Sequence, residues 1–177
     1  MYRLKMEPAI NAEIQDSICT EVPVGEGGYA QVSRRGDIAV KRIPWMHVES
    51  AIRELIFIKS CSHCCIISFM GIEAEGECIS LTMKYYPSVL STYTVRGLPD
   101  VISIAYGLLS ACKYIHNLGI IHCDIKCDNI LIDHGPAPRP ILCDFGISLR
   151  VEEKQHVGSV QTVTYRAPEV DFISITK

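Results

Sequence analysis

Between Ile120 and Asp133 the chain reads IIHCDIKCDNILID. Asp124, Lys126, Asp128 and Asn129 fall within six residues of one another, directly after a short apolar run. A loop that gathers carboxylate, ammonium and carboxamide can orient a hydroxyl, neutralise a phosphate and ligate Mg2+. Further on, Asp144 ends another short apolar run in CDFG. Two Asp and one Asn brought close in space would make an oxygen-rich site for a hard cation. Cys123 and Cys127 flank Asp124; small buried side chains are the better reading for them than redox chemistry.

Two earlier stretches could serve the same chemistry. VGEGGYAQV, Val24 to Val32, puts glycines between two strand-like runs. Lacking Cβ, such glycines let backbone N–H groups approach a phosphate, although an ordinary hairpin turn explains them equally well. The run after them is a strand, so a helix-opening dinucleotide fingerprint does not fit. Lys41 lies in IAVKRI. Turned inward, its ammonium would demand an anion; turned outward, it is an ordinary strand lysine. Glu54 lies on the next helical stretch and could pair with it, though an isolated helical Glu is ordinarily a surface residue.

Several elements must position these groups. SICTEVPVGEGGYAQVSRRGDIAVKRI, residues 17–43, alternates apolar and polar residues around turns at Gly25–Gly28 and Arg35–Asp37. Apolar residues then recur at helical spacing from Val48 to Ser60. Two further strands flank a turn at Glu75–Glu77. A long amphipathic helix is predicted over Asp100–Leu118, with Asp100 as N-cap and Gly119 as stop. Its apolar face comprises Val101, Ile104, Ala105, Leu108, Leu109, Cys112, Ile115 and Leu118. The runs NILID and RPILCDFG come next, separated by the proline-rich HGPAPRP.

The chain has 177 residues, enough for one domain or two small lobes. Its formal charge of −3 makes nucleic acid a poor partner. Nine cysteines without an apolar leader in MYRLKMEPAINAEIQDS suggest reduced thiols in a cytoplasmic or nuclear setting. Charge or glycine interrupts the apolar runs, so no membrane span is expected. CSHCC, Cys61 to Cys65, contains C-x-x-C, but zinc would require a second ligand pair and none is evident nearby.

Taken in order, GEGGYAQV, AVK, a helical Glu, HCDIKCDN, DFG and APE resemble the signature motifs of protein kinases, and the match runs over nearly the whole chain. The resemblance implies an α+β, bilobal, protein-kinase-like fold spanning 1–177 as a single kinase domain. Its N-lobe, about 1–86, would be an antiparallel sheet with one helix; its C-lobe, about 87–177, would be partial and mainly helical. The activity implied is transfer of the ATP γ-phosphoryl group to protein Ser/Thr hydroxyls with Mg2+.

Val24, Gly25, Glu26, Gly27, Gly28, Tyr29, Ala30, Gln31 and Val32 would form the loop over ATP, with Val24 and Val32 flanking the adenine. By the same resemblance, Lys41 would bind the α- and β-phosphates and pair with Glu54, Asp124 would take the hydroxyl proton, and Lys126 would steady the γ-phosphate. Asn129 and Asp144 would hold Mg2+, and Met83 would back the adenine pocket beside a hinge at Lys84–Tyr86. Lys126 and Thr162 resemble the Ser/Thr-directed subgroup. Ile58, Phe69, His122 and Phe145 match the family's stack of side chains that aligns the lobes.

Three positions depart from the pattern. Cys123 stands where the family usually has Arg, so no activation through a phosphate gripped there is expected. Ala30 replaces the third loop glycine, and the chain ends at Lys177, soon after Glu169. The family's later helices would otherwise cover the apolar C-lobe face, so a protein partner or a second copy is expected there, with neither nucleic acid nor membrane as a partner. The alternative reading is a pseudokinase-like nucleotide-binding or scaffolding protein.

Overall fold

The computed structural model describes residues 21–26, 30–152 and 162–165. Gly27, Gly28, Tyr29 and Glu169 lie outside these described residues. Five strands form an antiparallel sheet: β1 (Val22–Glu26), β2 (Gln31–Arg35), β3 (Ile38–Pro44), β4 (Phe69–Glu75) and β5 (Cys78–Lys84), in the order β1-β2-β3-β5-β4. The β2–β3 and β4–β5 connections are two-residue turns that begin with Gly36 (φ 60°) and Gly76 (φ 56°). Only glycine enters that left-handed region without strain, and the resulting twist suits tight hairpins.

Register decides which side chains face inward. Lys41 pairs directly with Val32 on one side and Leu81 on the other. Directly opposed residues share a face, and Leu81 belongs to the buried cluster with Ile79 and Met83. Lys41 therefore stands on the core side of the sheet, which settles the alternative that sequence alone leaves open. A slip of one residue would turn it to solvent.

Helix α1 (Val48–Ser60) packs beneath this sheet and buries Ala51, Glu54, Phe57 and Ile58. That spacing is one helical stripe, so Glu54 lies in the apolar seam and not on the surface where an isolated helical Glu belongs. Only 1 % of it is exposed.

Helix α2 (Leu98–Asn117) begins earlier than predicted. Gly97 is its N-cap, and Asp100 sits in the first turn instead. The Asp100 carboxylate accepts the backbone N–H of Arg96 at 3.1 Å and the Arg96 Nε at 2.9 Å. A third-position carboxylate reaching back in this way satisfies a donor that the helix cannot. Gly119, at φ 68°, ends the helix as expected, its N–H donating to His116 O at 2.9 Å.

The buried stripe of α2 runs through Ile104, Gly107, Ala111 and Ile115. Val101, Ala105 and Leu109 of the predicted face are exposed. Gly107 explains the rotation: a Cβ there would lie 2.7 Å from both Cγ and Cδ of Pro140. The helix packs backbone-close on the small sheet of β6 (Ser88–Val89), β8 (Ile130–Asp133) and β9 (Arg139–Leu142), and its small residues define the contact. By length and composition alone α2 could cross a membrane; its contacts with β9 and with β7 (Ile120–Ile121) are those of a packed lobe helix. β7 in turn pairs with β10 (Leu149–Arg150). No disulfide links the eight cysteines among the described residues.

Candidate active site

β7 delivers the chain to His122 and Asp124, Asn129 immediately precedes β8, and Asp144 follows β9, so short strands frame the whole loop cluster. His122 is 1 % exposed, with its ring 4.7 Å from that of Phe145 in an edge-on contact. His122 Nδ1 accepts the backbone N–H of Asp124 at 3.3 Å, so Nε2 carries the hydrogen and donates to Cys143 O at 3.0 Å. Burial lowers the His122 pKa and favours the neutral ring, and the two hydrogen bonds select this tautomer. It is a packed post that holds the Asp124 and Asp144 loops at a set spacing. Ile58 and Phe145 share the core cluster against which Phe69 packs.

Two clusters of charge lie on this frame. In the first, Lys41 Nζ donates to Glu54 Oε2 at 2.7 Å and to Asp144 Oδ1 at 2.9 Å. Burial alone would lower the Lys41 pKa, but the two carboxylates outweigh it and raise it above the ordinary lysine value. Burial pushes the Glu54 carboxyl up. For Asp144 burial also pulls upward, but Lys41 prevails and holds the pKa below the usual carboxylate value. Asp144 adopts φ 64°, a left-handed backbone that turns its side chain toward Lys41 instead of continuing β9. Its side chain is still 44 % exposed.

In the second cluster every polar atom of the Asp124 carboxylate is used. Oδ2 accepts from Lys126 Nζ at 2.8 Å and from Asn129 Nδ2 at 2.8 Å. Oδ1 accepts the Thr162 hydroxyl at 2.8 Å and the Thr162 N–H at 3.3 Å. Lys126 Nζ also donates to Thr162 Oγ1 at 2.9 Å. Burial would raise the Asp124 pKa, yet these hydrogen bonds bring it below the ordinary value. Asn129 Nδ2 donates again to Asp124 O at 2.9 Å. Since both donations come from its nitrogen, the Asn129 amide oxygen is the atom left to act as an acceptor.

The glycine-containing stretch is described in part. Val24, Gly25 and Glu26 lie on β1, where Val24 and Gly25 are exposed, with a register shift between Pro23 and Gly25. Gln31 and Val32 start β2, and Ala30 packs against the core. Met83, 7 % exposed, pairs with Ala39 on the inner face of the sheet. Two cavities nearby do not coincide with the ion clusters. One, of about 530 Å³, opens among Glu21, Val24, Gln31 and Arg42; the other, of about 400 Å³, lies by Ser88, Tyr93 and His134.

Several contributors escape sequence reasoning. Ser50 Oγ donates to Gly146 O at 3.3 Å and Arg53 Nη1 donates to Ser148 O at 3.2 Å. These bonds tie α1 to the loop after Asp144 and so keep Glu54 and Asp144 within reach of one lysine. Their only signal in the sequence is helical proximity to Glu54. Ser148 Oγ donates to His122 O at 3.0 Å with the residue fully buried. Cys123 takes φ 66°, a strained backbone for a non-glycine residue. Cys143, by its place beside Asp144 a candidate target for electrophiles, is engaged: its Sγ bonds to Asn129 O at 3.3 Å, and burial pushes its pKa far up. A thiol held protonated is a poor nucleophile.

Comparison with known proteins agrees with this architecture. A family model described as "Protein kinase domain" matches residues 20–171. Mitogen-activated protein kinase p38a of Drosophila melanogaster is 32 % identical over 181 aligned positions, covering 89 % of this chain and 49 % of that protein. Mitogen-activated protein kinase kinase kinase 3 of Arabidopsis thaliana is 32 % identical, covering 70 % of this chain and 20 % of its own length. The serine/threonine-protein kinase US3 homolog of Gallid herpesvirus 2 is 32 % identical, covering 79 % and 36 %. The chain thus spans about half the length, or less, of these relatives. With the family model matched over most of its length, the five-stranded sheet over one helix and the paired ion clusters, this chain belongs to the protein kinase family.

Proposed function

We propose that the chain is a Ser/Thr protein kinase domain that transfers the γ-phosphoryl group of ATP to protein hydroxyls, with its lobes at about residues 1–86 and 87–177. The observation that carries this reading is Lys41 Nζ held between Glu54 at 2.7 Å and Asp144 at 2.9 Å. Formal charge there sums to one negative, from one ammonium and two carboxylates. A purely structural ion pair has no use for a third charged member half open to solvent.

The donor set suits Mg2+, which takes oxygen ligands. Asp144 spends Oδ1 on Lys41, and Asn129 spends only its nitrogen, so one carboxylate oxygen and one amide oxygen fit a hard cation. Bound there, the ion would neutralise phosphate charge. Lys41 would hold the nucleotide phosphates, with Glu54 fixing its ammonium. Val24, Gly25, Glu26, Gly27, Gly28, Tyr29, Ala30, Gln31 and Val32 would cover the nucleotide.

Asp124 would receive the substrate hydroxyl. With its pKa depressed it is a weak base, so its part is to orient the hydroxyl and accept the proton late. Lys126, which spends two bonds on Asp124 and Thr162, has a third N–H for the transferred phosphoryl group. Catalysis of this kind is positioning and charge neutralisation. Lys126 bonded to Thr162 supports the Ser/Thr reading, as do the names of the relatives.

The test is transfer of labelled phosphate to a generic basic protein and to the chain itself, repeated with Asp144→Ala. Activity in the wild type that is lost in the variant supports the proposal. Nucleotide binding with no transfer would instead favour a binding module.

A further inference from the structure

We propose that the turn between α1 and β4 binds a thiophilic d10 cation of the zinc(II) class, with His63, Cys64 and Cys65 as its protein ligands. One ring nitrogen of His63 and the two sulfurs all lie within 4.8 Å of one another. The sulfurs are 3.8 Å apart. Two thiolates on one tetrahedral zinc, each bond about 2.3 Å, stand about 3.8 Å apart, so the thiols need little rearrangement to share an ion. That spacing alone is also ordinary thiol contact; the histidine distinguishes the two.

His63 Nδ1 accepts the backbone N–H of Cys65 at 3.1 Å, which requires a lone pair on Nδ1. The hydrogen of the neutral ring is then on Nε2, which contacts Ser110 Oγ at 3.1 Å on α2. Histidines that ligate metals nearly always donate their other ring N–H to such an outer partner, and the arrangement is already in place. The ring is further fixed against Tyr114, 5.2 Å between centroids, while the Tyr114 hydroxyl accepts Ser62 N–H at 2.9 Å. Two sulfurs and one imidazole select a soft or borderline ion and disfavour Mg2+ or Ca2+. Cys65 is buried, His63 half-buried and Cys64 exposed, so the fourth position of the ion would face solvent.

The residues that form the group differ from the C-x-x-C visible in the sequence: Cys61 is not among the three. On binding, the Cys64 and Cys65 thiols each give their proton to solvent as a sulfur–metal bond forms. His63 Nδ1 exchanges the Cys65 N–H for the ion, and no electron changes hands. The site lies at a junction. Cys65 O accepts Leu142 N–H at 2.9 Å and Leu142 O accepts Ile67 N–H at 2.9 Å, clamping the turn to β9 two residues before Asp144. An ion here would stiffen that clamp. The proposal does not depend on the chain being catalytic.

The experiment uses the reduced, chelator-stripped full chain and Co2+ as a spectroscopic probe. The expected result is a thiolate-to-cobalt charge-transfer band that saturates at about one equivalent and is abolished by Zn2+. Cys64→Ser, at an exposed position, should weaken Zn2+ binding more than about a hundredfold in chelator competition, and Cys61→Ser should leave it unchanged. Ser110→Ala, which removes only the outer hydrogen bond, should weaken binding about tenfold, and it serves as the deciding variant should Cys64→Ser fail to fold. The absence of a charge-transfer band, or Zn2+ affinity unchanged in both Cys64→Ser and Ser110→Ala, overturns the proposal.

Discussion

Lys41 and Lys126 each hold two acceptors within 2.9 Å, but the acceptors have different origins. Lys41 on β3 is gripped by carboxylates from α1 and from the end of β9, 13 and 103 residues away. Lys126 is gripped by Asp124 two residues before it and by Thr162. The first cluster therefore exists only when sheet, helix and second lobe are assembled, whereas in the second the Asp124–Lys126–Asn129 contacts are local and only Thr162 comes from far along the chain. Their charges differ as well. The Lys41 cluster keeps a negative surplus beside exposed Asp144, and the Asp124–Lys126 pair is neutral. Under the proposed function, the first arrangement would serve a cation and phosphates, and the second a hydroxyl held without being charged.

The comparison is most sharply tested by Lys41→Met. Glu54, 1 % exposed, would lose the partner that lets it stay ionised. Breaking a buried pair costs about 3–5 kcal/mol; with Lys41 14 % exposed and Asp144 44 %, the lower end is expected. Urea unfolding should show the midpoint falling at constant slope, and phosphoryl transfer should disappear. Asp124→Asn is the counterpart. Transfer should fall by about 10²- to 10⁴-fold, while stability changes by no more than about 1 kcal/mol, because asparagine keeps one acceptor oxygen for Lys126 or Thr162. Equal melting of the two variants would mean that the clusters are energetically alike and that their different origins carry no energetic weight.

The same contrast explains what can be read in the sequence. α1 coincides with its predicted span because Val48–Ser60 carries an unbroken helical period. The hairpin at Gly36–Asp37 and the turn at Gly76–Glu77 announce themselves through glycine between strand-like runs. Asp124, Lys126 and Asn129 are neighbours in the chain, so their meeting is legible. The inward facing of Lys41 is not, since it depends on the register against Val32 and Leu81. Glu54 reads as a surface residue for the same reason: its partner lies on another element. Hydropathy misplaces the buried line of α2 because Gly107 carries no such signal, although its missing side chain makes the closest contact. The His63–Cys64–Cys65 grouping hides behind the more conspicuous C-x-x-C of Cys61 and Cys64, since spacing in the chain does not reveal where a turn aims its side chains.

A smaller effect is expected at the support shared by both clusters. Gly107→Ala would put a methyl group 2.7 Å from Pro140 Cγ and Cδ and 3.2 Å from Cys65 Sγ. Proline on β9 cannot swing away as a flexible side-chain tip would, so helix and sheet must separate. Overpacking of this kind costs about 1–3 kcal/mol, partly offset by alanine's better helix propensity, about 1 kcal/mol. Net destabilisation of up to about 2 kcal/mol should appear in the urea midpoint. Because β9 leads to Asp144 and β7 to Asp124, transfer should weaken without being lost. A Gly107→Ala chain as stable as the wild type would show that the α2–β9 contact yields easily.

The smallest effect is acid sensitivity, where the two clusters differ in sign. Asp124 and Asp144 have folded pKa values below the ordinary carboxylate value. Each contributes stability that is complete above the unfolded value, about 3.9, and is lost as pH falls through its lower folded value. Glu54 is displaced upward by burial, so in the window above its unfolded value of about 4.3 its ionisation works against the fold as pH rises. The Lys41 cluster therefore gains stability as pH drops toward about 4.3 and loses it below about 3.9, whereas the Asp124 cluster only loses. Urea midpoints measured from about pH 6 to about pH 2 should show a shallower acid limb for Asp124→Asn than for the wild type. Glu54→Gln should remove the opposing rise and leave the steep limb intact. Were Glu54→Gln to flatten the limb below about pH 3.9 instead, Glu54 would be an ordinary ionised partner of Lys41, and burial would not be the dominant influence on its proton.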